Sequence, residues 1–279
     1  MRIPMAVLAL TFAATGCKGE PPKAHTPAPT PVASAIVRPI PSAEASVQIP
    51  ASPVPMANEP QGPAVVEQAV VPKDKATSFV WGARGTRRVT VFMGGVCSNA
   101  FAYLSGFPEA ARAQGGVVAI EGDLPCGPNT PGFHSFSWDA AKQHARVTAA
   151  LVAAGIEDVP TEGITLIGYS AGAGIGEQMA ERWPDRYTRL VLIAAPTDPS
   201  TRRLAKARGV VTMACSLDVT GRMRDAAKRL NKIGVPAQYV EMPGCTHGNL
   251  AEGEDRMGQA FRFLDEHALR PPPPGDASP

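Results

Sequence analysis

Gly163-Ile164-Thr165-Leu166-Ile167-Gly168-Tyr169-Ser170-Ala171-Gly172 is the stretch whose reading decides the fold. Ile164 to Ile167 is a short apolar run with β-branched residues, as in a strand buried on both faces. Gly174 to Trp183 reads as a helix. The Gly-x-Ser-x-Gly between them makes a turn too sharp for side chains at its flanking positions, so glycines fill them. The turn drives Ser170 into a strained backbone conformation with its hydroxyl exposed. The N–H of Ala171 then lies at the start of a helix, where such groups lack an intrahelical partner and attract negative charge.

Outward from that turn, strand and helix patterns alternate. Thr77–Trp81 reads as an edge strand, and Arg87–Met93 as a stronger one running into Gly94-Gly95-Val96. Residues Phe101 to Gln114 have helical apolar spacing, broken before Pro108. Gly116–Ile120 suits a central parallel strand. A turn-rich loop from Glu121 through Gly132 precedes a helix opened by Asp139, with Ala140, His144, Val147, Leu151 and Ala154 on one face and Gly155 at its end. Leu190–Ala195, Val210–Cys215 and Ala237–Met242 read as further strands. Met223, Ala227, Leu230 and Ile233 mark the helix between the last two, and Met257, Phe261, Leu264 and Ala268 mark the closing helix, which Pro271 to Pro274 stop. Val65, Val66, Val70 and Val71 offer a weaker pattern for a short first strand. This alternation predicts an α/β domain with a mostly parallel sheet covered on both faces.

Composition fits one domain on a tether. A net charge of +2 over 279 residues gives no electrostatic reason to invoke nucleic acid, and 44% hydrophobic residues are ample for a core. Arg2 precedes an apolar run from Ile3 to Ala14 that is too short to span a bilayer and has the length of a secretory signal core. It ends in Ala14-Thr15-Gly16-Cys17, which resembles a bacterial lipobox with alanine where leucine is usual. That likeness implies a signal over residues 1–16, acylation of Cys17 and an N-terminal lipid anchor in the cell envelope. An ordinary secretory signal is the alternative, and both export the chain. Residues 17–75 are rich in proline and alanine, with thirteen prolines between Lys18 and Pro72. Such a segment cannot bury enough apolar surface to offset its ordering entropy, and it reads as a disordered tether before a domain over 76–270 and a tail over 271–279. Cys97, Cys126, Cys215 and Cys245 remain. Four cysteines in an exported chain suggest two disulfides with three connectivities, and their spacings contain no Cys-x-x-Cys zinc pattern.

In its strand–turn–helix setting, Gly168–Gly172 resembles the nucleophile elbow of the α/β-hydrolase superfamily. The resemblance covers nearly all of residues 77–269. Glu181-Arg182-Trp183-Pro184-Asp185-Arg186 followed by Leu190–Ile193 is similar to the post-elbow segment of many members. Asp123-Leu124-Pro125 is similar to the Asp-Leu-Pro-Gly loop after their fourth strand, with Cys126 in place of the glycine. Only about fourteen residues separate Ala195 from Val210, where members carry a lid or cap. That brevity resembles the smaller esterases and implies an open site without a large cap.

The resemblance implies a serine hydrolase that needs no metal or organic cofactor. In the superfamily's order of serine, acid and histidine, Ser170 is the nucleophile and His247, in the loop after the last strand, is the base. Asp218, just past Val210–Cys215, stands where the acid sits, although an aspartate there would equally cap the following helix. Asp198 competes for the role. Ala171 supplies one oxyanion N–H, and Val96 or Gly95 the other. The strand order that the resemblance implies makes neighbours of the loops bearing Cys97 and Cys126, and of those bearing Cys215 and Cys245, which predicts those two pairs. The substrate is an acyl compound, an ester, thioester or amide, and Phe133, Phe136 and Trp138 line its pocket or belong to the core. One rival is a non-catalytic envelope lipoprotein that binds a ligand or partner on the same scaffold. Another is different cofactor-free chemistry on the same residues, such as perhydrolysis.

Overall fold

A computed structural model describes residues 62–82 and 88–268. Cys17, the signal, most of the tether, Arg87 and the tail fall outside them. The strands are β1 (Glu67–Ala69), β2 (Thr77–Trp81), β3 (Val89–Met93), β4 (Gly116–Ile120), β5 (Leu124–Pro125), β6 (His134–Ser135), β7 (Ile164–Tyr169), β8 (Tyr187–Ile193), β9 (Gly209–Cys215) and β10 (Ala237–Met242). The helices are α1 (Ala100–Leu104), α2 (Pro108–Ala113), α3 (Ala140–Ala153), α4 (Ala171–Arg182), α5 (Thr201–Leu204), α6 (Thr220–Lys232) and α7 (Gly253–Ala268).

Eight strands form one sheet in the order β1-β2-β4-β3-β7-β8-β9-β10, and β5 pairs with β6 in a separate hairpin. β2 is antiparallel to β1 and β4, and every later neighbour is parallel. The predicted α/β class is therefore the observed one. Successive strand residues point to opposite faces. Val89, Val91 and Met93 of β3, and Ile164 and Leu166 of β7, join a core with Val147 and Leu151 of α3, Ile175 and Met179 of α4, and Met223 and Leu230 of α6. Phe92, Ile167 and Tyr169 join the opposite core with Leu104, Phe107, and Met257, Phe261 and Leu264 of α7. Each core closes over one face of the sheet, which is why its central strands are apolar throughout.

The local start and stop signals act as their chemistry requires. Asp139 caps α3, its carboxylate accepting the N–H groups of Ala141 and Lys142 at 3.0 and 3.1 Å. Pro108 occupies the first turn of α2 and separates it from α1. Two expectations shift. Sheet pairing begins at Glu67, ahead of residue 76, because β1 adds to the free edge of β2. Ile233 is 50% exposed and lies at the end of α6, past the buried stripe of Met223, Ala227 and Leu230.

Candidate active site

The loops that follow the parallel strands meet at the carboxyl edge of the sheet, where open α/β sheets place ligands. Ser170 stands between β7 and α4, as the N-cap of the helix, with φ +49° and ψ −114°, a region that residues with side chains rarely adopt. Its neighbours explain how that strain is held. A Cβ on Gly172 would overlap the carbonyl oxygens of Met93 and Gly94, and one on Gly168 would overlap the backbone of Ala173. The loop after β3 is therefore packed directly against the serine turn. Gly172 N–H donates to the Gly94 carbonyl at 3.1 Å.

His247 Nε2 lies 3.0 Å from Ser170 Oγ, and His247 Nδ1 lies 2.7 Å from Asp218 Oδ2. With Asp218 as a carboxylate, which only accepts, Nδ1 carries the ring proton and Nε2 is left to accept from the serine hydroxyl. The Asp218 side chain is 11% exposed and that of His247 is 49% exposed. Asp218 does not cap α6: the cap position belongs to Val219, with no side-chain bond. Asp198 lies elsewhere. It is 69% exposed and faces Arg222 and Arg229 at 3.4 and 3.8 Å.

The loops bearing Asp218 and His247 are stitched together. Cys215 and Cys245 form a disulfide beneath them, Leu217 N–H donates to the Cys245 carbonyl at 3.1 Å, and Gly244 N–H donates to Ser216 Oγ at 2.9 Å. On the other side, Cys97 bonds Cys126 across the β3 and β4 loops. Both disulfides follow the pairing that the implied strand order predicts. Ser98 pairs with His134 of the hairpin through two 2.9 Å backbone bonds, and Ala100 N–H donates to the buried Glu121 carboxylate at 2.7 Å. Burial pushes the Glu121 carboxyl above its ordinary value.

Gly95 lies so close that a Cβ there would sit 3.1 Å from Ser170 Cβ and 3.7 Å from its hydroxyl oxygen. The backbone N–H groups of Gly95, Val96 and Ala171 find no acceptor among the described residues. Next to them is a groove of about 440 Å³ between α1, the hairpin and the loop after His247. Val96, Tyr103, Phe133 and Leu250 supply its apolar walls, and no charged residue lines it. Of the three aromatic residues expected either to line a pocket or to belong to the core, Phe133 lines this groove and Phe136 is in the core. Trp138, 55% exposed, packs over the first turn of α4, where a Cβ on Gly174 would touch its ring.

Nothing overhangs this edge from the β8–β9 connection, whose only element is the one-turn helix α5. Arg222 ties that connection down through the Ala195 and Pro196 carbonyls at 3.0 and 2.7 Å. The Glu177 carboxylate also holds it, accepting Ser200 N–H at 3.0 Å. Burial pushes the Glu177 carboxyl up to about 6.

Sequence reading did not single out Tyr103, or Tyr169 apart from its place in the pentapeptide. Both phenols reach the main chain just after His247, Tyr103 donating to the Gly248 carbonyl at 2.9 Å and Tyr169 accepting Gly248 N–H at 2.6 Å. A tyrosine inside Gly-x-Ser-x-Gly was the only available signal.

No protein-family model matches the chain, and no curated protein sequence matches it. Solved structures do. A CIB-like hydrolase from Thermoplasma acidophilum aligns with a TM-score of 0.52 at 15% identity, over 73% of this chain and 98% of its own. The Staphylococcus aureus fluorophosphonate-binding serine hydrolase FphF aligns with a TM-score of 0.52 at 12% identity, over 73% and 99%. The carboxylesterase EstE1, cloned from a metagenomic library, aligns at 0.50 and 14% identity, over 77% and 92%. The chain has the α/β-hydrolase fold.

Proposed function

We propose that the protein is a serine hydrolase that cleaves an ester, thioester or amide through an acyl-enzyme intermediate. The observation that carries this reading is the unbroken line from Ser170 Oγ through the His247 ring to the Asp218 carboxylate, with contacts of 3.0 and 2.7 Å. A serine hydroxyl is a weak nucleophile until a base takes its proton, and the imidazolium that forms needs a fixed negative partner. As Ser170 Oγ bonds to the substrate carbonyl carbon, its proton passes to His247 Nε2 and the carbonyl oxygen becomes an oxyanion. The N–H groups of Ala171 and of Val96, with Gly95 as the second choice, stabilise that charge. His247 returns the proton to the leaving group as its bond to carbon breaks. Water, deprotonated by His247, then bonds to the carbonyl carbon, the bond to Ser170 Oγ breaks, and His247 returns the proton to Oγ as the acid is released.

The uncharged groove beside Val96 suits an uncharged acyl or alkoxy group, and carboxylic esters are the first choice of substrate. Acylation of Cys17 would hold this activity at the cell envelope, with residues beyond it as a spacer. In the test, a fluorophosphonate probe labels wild-type protein at Ser170, and Ser170→Ala is not labelled. Folded wild-type protein that takes up no probe and hydrolyses no member of a panel of nitrophenyl esters, thioesters and peptides refutes the reading.

A further inference from the structure

His247 lies in a loop without regular structure between β10 and α7, and its side chain is half exposed. Such a segment does not hold a ring within hydrogen-bond reach of two partners on other loops unless it is fixed on both sides. Upstream, Cys245 fixes it covalently, two residues before the histidine. Downstream the fixing is polar, and two phenols supply it. Tyr169 Oη accepts Gly248 N–H at 2.6 Å and faces the Asn249 carbonyl at 3.4 Å, while Tyr103 Oη donates to the Gly248 carbonyl at 2.9 Å. The two rings lie 5.1 Å apart, and the Tyr169 ring meets the His247 ring edge-on at 5.6 Å. Gly248 has φ +95°, a conformation that side chains disfavour. Burial raises both phenols above their ordinary range, Tyr169 to about 12, so both stay protonated at neutral pH.

We propose that Tyr169 and Tyr103 are positioning residues for His247, a clamp that grips the residue after the base. Tyr169 precedes the nucleophile directly, so the clamp ties the serine turn to the histidine loop without involving the disulfide. This proposal rests on the hydrolase reading above. It gives the phenols no contact with substrate and no proton transfer.

The test compares full-length wild type, Tyr169→Phe, Tyr103→Phe and Tyr187→Phe. Tyr187 is the structural control: its phenol is fully buried, bonds His144 Nδ1 at 2.8 Å and lies in the core away from the site. Turnover of a short nitrophenyl ester and the rate of fluorophosphonate labelling are read well below each variant's Tm. A misplacement of about 1 Å costs up to about 10²-fold in rate, so Tyr169→Phe should lose about 10- to 100-fold in kcat and in labelling rate with KM nearly unchanged. Tyr103→Phe should lose less, and Tyr187→Phe should lower Tm while leaving both rates intact. Wild type that turns over, with Tyr169→Phe matching its kcat and labelling rate, overturns the clamp alone. Equal activity losses in Tyr169→Phe and Tyr187→Phe also overturn it, by reducing it to general stability. Wild type inert to both ester and probe overturns the hydrolase reading itself.

Discussion

The two disulfides allow a matched experiment. Cys97–Cys126 and Cys215–Cys245 span 29 and 30 residues, so their loop-closure terms are nearly equal. On the chain-entropy estimate each constrains the unfolded chain by about 3.6 kcal/mol at 25 °C. In a domain of this size that corresponds to about 7–14 °C in Tm. Their surroundings differ. Cys97 is exposed, whereas Cys215 and Cys245 are 0% and 7% exposed in the core beneath the loops bearing Asp218 and His247. Replacing Cys97 and Cys126 together by alanine should therefore lower Tm by about the entropic amount. Replacing Cys215 and Cys245 should lower it further, because removing buried sulfur also leaves a cavity. Differential scanning calorimetry of the oxidised proteins, with thiol titration to verify that wild type holds both bonds, measures the two losses. In the same samples, Cys97→Ala/Cys126→Ala should slow ester turnover by no more than the ~10²–10³-fold that loss of one oxyanion donor costs. A Tm change below ~2 °C for the Cys97–Cys126 pair, far under the loop-closure value, would refute the assignment of its stabilisation to the unfolded chain.

Three other outcomes follow from the geometry. Asp218→Asn should reduce kcat by about 10³–10⁴-fold by misassigning the His247 tautomer, whereas Asp198→Asn should leave kcat within about 2-fold; steady-state kinetics of the two variants side by side decides which aspartate is the acid. Gly172→Ala pushes a methyl group into the Met93 and Gly94 carbonyls, and should cost about 1–3 kcal/mol in urea unfolding while shifting the Gly94–Val96 loop enough to abolish fluorophosphonate labelling. Glu177, raised from 4.5 to about 6, favours its protonated form in the fold, so its contribution is fully present below pH 4.5 and is lost as pH rises through 6. Urea unfolding should accordingly find Glu177→Gln more stable than wild type by up to about 2 kcal/mol at pH 8, and the gain should vanish near pH 4; a pH-independent difference contradicts it.

The parts of the fold fixed by local rules were readable in advance. Gly168 and Gly172 could be placed because neighbouring backbone fills the space where a side chain would go. The central strands could be placed because both their faces are buried. Short edge elements carry no such pattern: β1 is three residues long and only partly buried, and its flanking valines gave a weak signal. Ile233 keeps the helical period of α6 but follows its last turn, and periodicity does not report where a helix stops. The choice between Asp218 and Asp198 turns on tertiary placement. Both follow strands, but in the fold Asp198 faces Arg222 and Arg229 and Asp218 faces His247. Tyr103 lies 145 residues from the Gly248 carbonyl that it grips, a distance over which no spacing rule operates.

The unusual dihedrals of Ser170 come from main chain wedged against main chain, and nothing in that wedge requires an oxygen at position 170. An alanine would meet the same backbone and inherit the same torsion. The Ser170→Ala chain should therefore keep the groove and the histidine loop intact while lacking the oxygen proposed as the nucleophile. Immobilised and exposed to cell extracts, it would serve as bait, holding an uncleaved substrate of the proposed reaction long enough for mass spectrometry to identify it.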